Sequence, residues 1–150
     1  MAILTVLKYP DPLLRQRALE VTAFDIQLSK TVEDMTETMR ASNGVGLAAT
    51  QVGIMSRLFV LEFRKRLLHF INPEIIHASG EVVLEEACLS LPNVARMVTR
   101  AKNITVRYQT IDGIKYETIF KGFIARIIQH ELDHLDGILI IDRSSEEPSE

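Results

Sequence analysis

The segment from Phe123 to Gly137 restricts the possible folds of this chain more than any other. Its apolar periodicity predicts a helix over Phe123–Leu135, preceded by Gly122 and closed by Gly137. Within it lies the run Gln129-His130-Glu131-Leu132-Asp133-His134. Residues four apart share a helix face, so His130 and His134 can grip one divalent metal while Glu131 sits beside the open coordination position. That arrangement makes a bound water nucleophilic at neutral pH. The chain is therefore expected to fold around a metal-carrying helix and to catalyse a hydrolysis.

His-Glu-x-x-His also occurs in helices that bind nothing, so the rest of the ligand set matters. An open catalytic site usually takes three protein donors. Downstream, Asp136 and Asp142 are the candidates, and the longer signature with a third His after a Gly is absent. The remaining strong donor is Cys88, the single cysteine of the chain. Alone it would read as a small buried hydrophobe. Beside two imidazoles it becomes the expected third ligand, in a set suited to zinc, ferrous iron, cobalt or nickel. His69 and His77 have no partners at ligand spacing and read as ordinary strand or turn residues.

With 150 residues, 47% of them hydrophobic, the chain fits one globular domain, residues 1–150. A net charge of -3 with interspersed signs leaves no basic footprint for nucleic acid. No apolar run approaches membrane-spanning length and no signal pattern opens the chain, so a cytoplasmic location is expected. Pro10 and Pro12 mark an irregular start. Asp25–Met39 reads as an amphipathic helix stopped by Ser42-Asn43-Gly44. Strands are expected at Arg57–Glu62, at Leu67–Ile71 ending before Asn72-Pro73, and at Ile75-Ile76. Others follow at Glu81–Leu84, Met97–Arg100, Ile104–Ile111 and, after an Asp112-Gly113 hairpin, Ile114–Phe120. A last short strand is expected at Ile138–Ile141, with 142–150 a disordered acidic tail. Helix, strands, then helix indicates the α+β class: antiparallel or mixed sheets packed around the helix that carries the histidines, with an N-terminal helix.

Three segments, in order, resemble the motifs of the peptide deformylases. Gly44-Val45-Gly46-Leu47-Ala48-Ala49-Thr50-Gln51 resembles the first, Glu86-Ala87-Cys88-Leu89-Ser90 the second, and Gln129 to Gly137 the third. The resemblance covers nearly the whole chain except its tail. It implies that Cys88, His130 and His134 bind one metal, natively ferrous iron, with nickel, cobalt or zinc able to occupy the same ligands. It implies Glu131 as general acid/base, with the Gln51 amide and the Leu89 backbone N–H as oxyanion donors. The implied reaction removes the N-formyl group from the initiator methionine of nascent chains and releases formate. It further implies that Gly44, Val45, Gly46, Leu84, Glu86, Phe123, Arg126 and Ile127 contact the substrate, the Arg126 stem packing while its head reaches water. Taken individually, Gln51 could equally cap a loop, Gly44 and Gly46 could be turn glycines, and the apolar positions could be core.

Two departures from the family pattern stand out. Ala87 replaces a glycine, which would strain the backbone if that position needs positive φ, or crowd the substrate groove if it is extended. The ending Ser144–Glu150 is short and acidic where many relatives continue into a basic helix associated with the ribosome, so only transient ribosome proximity is expected. The segment between Phe63 and Leu67 also looks abbreviated, implying a tight hairpin. A monomer acting on N-formylmethionyl peptides, without nucleic acid or membrane, is the expected state. The alternatives are a weakly active or inactive homologue that binds metal and formyl-peptide, and a zincin-like endopeptidase.

Overall fold

The helix that carries the two histidines, α2 (Phe123–Leu135), packs its apolar side into the largest core of the protein. The computed structural model describes residues 2–144. Ala125, Ile127, Ile128 and Leu135 of α2 meet Phe59, Leu61, Phe70, Ile104, Val106 and Phe120 there. These belong to a five-stranded antiparallel sheet of order β1-β2-β3-β6-β7, built from Gly46–Ala48, Leu58–Phe63, Arg66–Ser79, Asn103–Gln109 and Lys115–Lys121. Two further strands, β4 (Val82–Cys88) and β5 (Leu91–Arg100), form a separate antiparallel pair. The α+β class and the central position of the histidine helix are as expected.

β2 explains why its sequence reads as an unbroken apolar run. Phe59 and Leu61 face α2, whereas Leu58 and Val60 face α1 (Ile26–Ala41) with Met35, Met39, Leu47 and Ile71. Leu58, Phe59, Val60 and Leu61 are all fully buried, each contributing about 1.5–3 kcal/mol. β1 is locked onto β2 with Gly46 opposite Leu61, Leu47 opposite Val60 and Ala48 opposite Phe59. α1 starts where its cap residue dictates: the Asp25 carboxylate accepts the Leu28 N–H at 3.0 Å. It ends as Asn43 turns left-handed, φ 56°, one residue before Gly44.

Four expectations are corrected. The strand expected to stop before Asn72-Pro73 continues as β3 through Ser79. It survives because Asn72 takes φ 53° in a bulge where the strand changes partner from β2 to β6, so Pro73 costs no ladder bond. The Asn72 side chain holds that bulge by exchanging bonds of 2.8 and 2.9 Å with the Val21 backbone. The short strand expected at Met97–Arg100 is the second half of β5, its first half masked by a register shift over Pro92-Asn93. The segment expected to end in a strand at Ile138–Ile141 instead forms a four-residue helix, α3 (Ile140–Arg143), whose Asp142 carboxylate accepts the Leu139 N–H at 2.8 Å. Asp142, Arg143 and Ser144, the last bridged to Val98 of β5, therefore belong to the fold rather than to a tail, and the rest of the expected tail, 145–150, lies outside the described residues. The tight hairpin after Phe63 is present, its two turn residues Arg64 and Lys65 both at positive φ as a type I′ turn demands.

Candidate metal centre and substrate cleft

α2 presents His130 and His134 one turn apart, their ring centroids 5.1 Å from each other. Cys88 ends β4, immediately before the two-residue turn Leu89-Ser90 that leads to Leu91. The hairpin carries the sulfur to the helix: Cys88 Sγ lies 3.2 Å from His134 Nε2, and one donor atom from each of Cys88, His130 and His134 lies within 4.8 Å of the others. Metal–sulfur and metal–nitrogen bonds of about 2.3 and 2.0 Å at tetrahedral angles set donors about 3.3–3.5 Å apart, so the set fits a small divalent cation. Asp136 and Asp142, the other candidate ligands, pair instead with Arg57 at 3.0 Å and with Arg15.

The electrostatics of the centre also call for a cation. Burial works against a charged His130, yet Cys88 and the Glu86 carboxylate outweigh it and push its pKa up to about 10. His134, fully enclosed and beside His130, is driven well below its ordinary value by desolvation. A divalent cation would replace the His130 proton, since imidazole ligates only when neutral. Glu86 Oε1 sits 2.8 Å from His130 Nδ1, which leaves the other ring nitrogen for a metal, as an outer-shell carboxylate would.

Glu131 stands beside these donors, 4% exposed, with Oε1 buried and unpartnered among the described residues. Burial pushes its carboxyl up to about 7, and a cation bound at the neighbouring donors would pull it back toward ionisation. It can therefore exchange protons near neutral pH. Gln51 closes the other side: Oε1 accepts the Ala48 N–H at 2.9 Å, leaving Nε2 to donate to Ser90 Oγ at 3.1 Å and to approach Cys88 Sγ at 3.6 Å. The amide is thus oriented with its donor toward the centre.

A cleft of about 390 Å³ opens from the centre. Gly44, Val45 and Gly46 form one wall, Glu85–Leu89 the other, and Phe123, Arg126, Ile127, His130 and Glu131 come from α2. Val45 and Phe123 are half-exposed at the rim, while Ile127 is buried. β1 is the last strand of its sheet and, among the described residues, β4 pairs with β5 alone, so one strand edge from each sheet borders the cleft. Gly46 is there for room: a Cβ on it would lie 2.6 Å from Glu131 Oε2. Ala87 is extended on β4, outside the positive-φ region, so its methyl lines the groove without backbone strain.

Three expected substrate contacts sit differently. Leu84 lies on β4, opposite Val98, outside the residues that line the cleft. The Arg126 head does not reach water: it is buried, bonded to Glu86 and to the carbonyls of Val98 (3.1 Å) and Val82 (2.5 Å). Glu86 borders the cleft, but both carboxylate oxygens are taken up by His130, Arg126 and Arg100, the last at 2.9 and 3.0 Å. Those bonds hold it ionised well below the usual carboxylate range, against the opposing pull of burial. Arg100 continues to Asp133 at 2.5 Å, and Asp133 to Arg143 at 3.0 and 3.1 Å. Ser90, Arg100 and Asp133 hold places in this network that their sequence positions do not assign them. The available signal was Asp133, a charged residue one position before a buried ligand, which needs a cationic partner.

The similarity to known proteins runs along the whole chain. Residues 3–149 match the family model described as polypeptide deformylase. A peptide deformylase of Thermotoga petrophila is 50% identical over 138 residues, covering 91% of this chain and 84% of the relative. The crystal structure of peptide deformylase from Thermotoga maritima superposes with a TM-score of 0.95 at 46% identity, covering 97% of this chain and all of that one. A Met-Ala-Ser-bound peptide deformylase from Acinetobacter baumannii gives 0.91 at 37% identity over 95% of this chain and 98% of its own. Metal donors at the heart of the fold, a paired-edge cleft and this likeness agree, and the chain belongs to the polypeptide deformylase family.

Proposed function

We propose that this protein hydrolyses the formyl amide of N-formylmethionyl polypeptides, giving formate and a free amino terminus. The observation that carries the proposal is the convergence of Cys88, His130 and His134 on one another, with Cys88, His130, Glu131 and Gln51 all lining the cleft. Cys88, His130 and His134 would hold the cation, ferrous iron in the native protein. Bound there, it would supply the Lewis acidity that makes water nucleophilic near neutral pH. Glu131 accepts the proton of the attacking water and delivers it to the departing nitrogen as the C–N bond breaks. Gln51 Nε2 and the Leu89 N–H donate to the oxygen on which charge develops, each such donor lowering the barrier by about 2.7–4 kcal/mol.

The substrate backbone adds along the open β1 edge at Gly44–Gly46, with β4 across from it, and Val45, Phe123 and Ile127 take the methionine side chain. The relative bound to Met-Ala-Ser supports a peptide of this kind in the cleft. No helix of the described residues is long and apolar enough to cross a membrane. We place it as a monomer in the cytoplasm, or in an organelle of bacterial descent, meeting nascent chains near the ribosome. The extended backbone of Ala87 removes strain as an argument for a weakly active relative, and its place in the cleft lining leaves crowding of the groove as the argument that the assay decides.

Formate release from formyl-Met-Ala-Ser by anaerobically iron-loaded, or nickel-loaded, protein tests the activity. Turnover no higher than that of a Glu131→Ala control overturns it. Gly46→Ala is expected to lower kcat about 100-fold, since the added methyl displaces Glu131 by a large fraction of an ångström or more. The same assay reads that loss, and a variant within threefold of wild type would remove Gly46 from the account.

A further inference from the structure

Three consecutive residues of the N-terminal segment bond to the two elements that carry the proposed oxyanion donors. The Leu7 N–H donates to the Gln51 carbonyl at 2.7 Å, Lys8 Nζ to the Leu89 carbonyl at 2.9 Å, and the Tyr9 N–H to the Ser90 carbonyl at 2.8 Å. Gln51 lies in the 3-10 turn Ala49–Val52, and Leu89-Ser90 is the tip of the β4–β5 hairpin, 37 or more residues along the chain. We propose that Leu7–Tyr9 is a strap that fixes the Gln51 amide and the Leu89 N–H relative to each other, with Lys8 as a positioning residue acting through Leu89. The inference rests on the deformylase reading of Gln51 and Leu89.

The hairpin tip needs such a restraint. Cys88 opposite Leu91 is its last pair, and the next is Ala87 opposite Ala95, so a register shift lies directly beneath the turn. Its own ladder therefore holds it weakly. The direction of the Leu89 N–H depends on the peptide planes at either side. Cys88 in the donor set anchors one side, and Lys8 and Tyr9 anchor the other. An oxyanion donor works only when placed about 2.7–3.1 Å from the developing charge, so small freedom at this tip costs rate.

The strap is itself anchored by packing: Leu7 joins Leu14, Leu91, Val98, Leu139 and Ile140 in an apolar cluster. Lys8, by contrast, is exposed, and an exposed charged contact adds little to stability. Its ammonium is thus free of any folding task, which separates positioning from structure in a test.

Lys8→Met keeps the stem and removes the ammonium, and Lys8→Arg keeps a cationic donor. With formyl-Met-Ala-Ser, Lys8→Met is expected to lower kcat about three- to tenfold, a fraction of the roughly 10²–10³-fold lost when a whole donor goes. KM, metal content and Tm should stay at wild-type values, and Lys8→Arg should recover most of the rate. Amide exchange at Leu89 should accelerate at least threefold in Lys8→Met, whether or not the protein is loaded. An unchanged kcat, an unchanged Leu89 exchange rate, or a rate loss that follows metal content or Tm overturns the strap. Absence of formate release by the wild type would instead defeat the deformylase reading, and Leu89 exchange would still decide whether the strap restrains the turn.

Discussion

Replacing Cys88 by serine is expected to strip the protein of its metal and, with it, of nearly all turnover. The hydroxyl keeps the shape of the side chain but does not ionise near neutral pH, so two imidazoles remain where three donors converge. Losing an outer-shell partner alone costs roughly 10–100-fold in metal affinity, and losing a ligand should cost more. After dialysis against a weak chelator, wild type should retain about one metal per chain by mass spectrometry, and the variant a small fraction. A second readout is thermal. Metal at 100 times its Kd stabilises a folded chain by about 2.7 kcal/mol, so added metal should raise the wild-type Tm and leave that of Cys88→Ser almost unmoved. Equal occupancy in the two proteins would remove Cys88 from the ligand set.

Glu131→Gln should leave the metal bound and lower kcat by about 10²- to 10⁴-fold, the usual share of a positioned proton carrier. Glutamine matches the volume of a side chain that is 4% exposed and pressed against the Gly46 backbone, so packing changes little. What is lost is the ability to take a proton from water and return it to nitrogen. KM should move by less than threefold, because the interaction belongs to the transition state. Activity within tenfold of wild type, at equal metal content, would transfer the proton role elsewhere.

The parts of this fold that are local in sequence were legible. The period of α2 and its glycine stop, the period of α1 and its Ser42-Asn43-Gly44 stop, and the Asp112-Gly113 hairpin all announce themselves within a few residues. So did the spacing of His130 and His134. Elements that depend on distant partners were not. β3 passes through Asn72-Pro73 because Val21 and Gln109 satisfy the Asn72 side chain from 51 and 37 residues away. Arg126 reads as a snorkelling residue until Glu86 and two strand carbonyls surround its head. Glu86 likewise reads as a groove residue until His130 and two arginines claim it. The motif containing Cys88 brought the third ligand into view, yet nothing around Lys8 hints at Leu89, 81 residues later. Ion pairs and backbone clamps of this range carry no periodicity for a sequence reading to find.

Because Gly46 is held opposite Leu61, chain length is not free to drift everywhere. A residue gained or lost between Ala48 and Leu58 that shifted this pairing by one would swing the buried Leu47 side chain toward Glu131 and pull Gly46 out of the gap it keeps. Core and reacting geometry would fail in the same event, so natural variation cannot trade one against the other. At Arg64-Lys65, beyond the last rung between Phe63 and Arg66, extra residues leave every rung below them in place. Descendants of this chain can therefore reshape their outline at that tip, while the strand beneath it works as a ruler that admits no new marks.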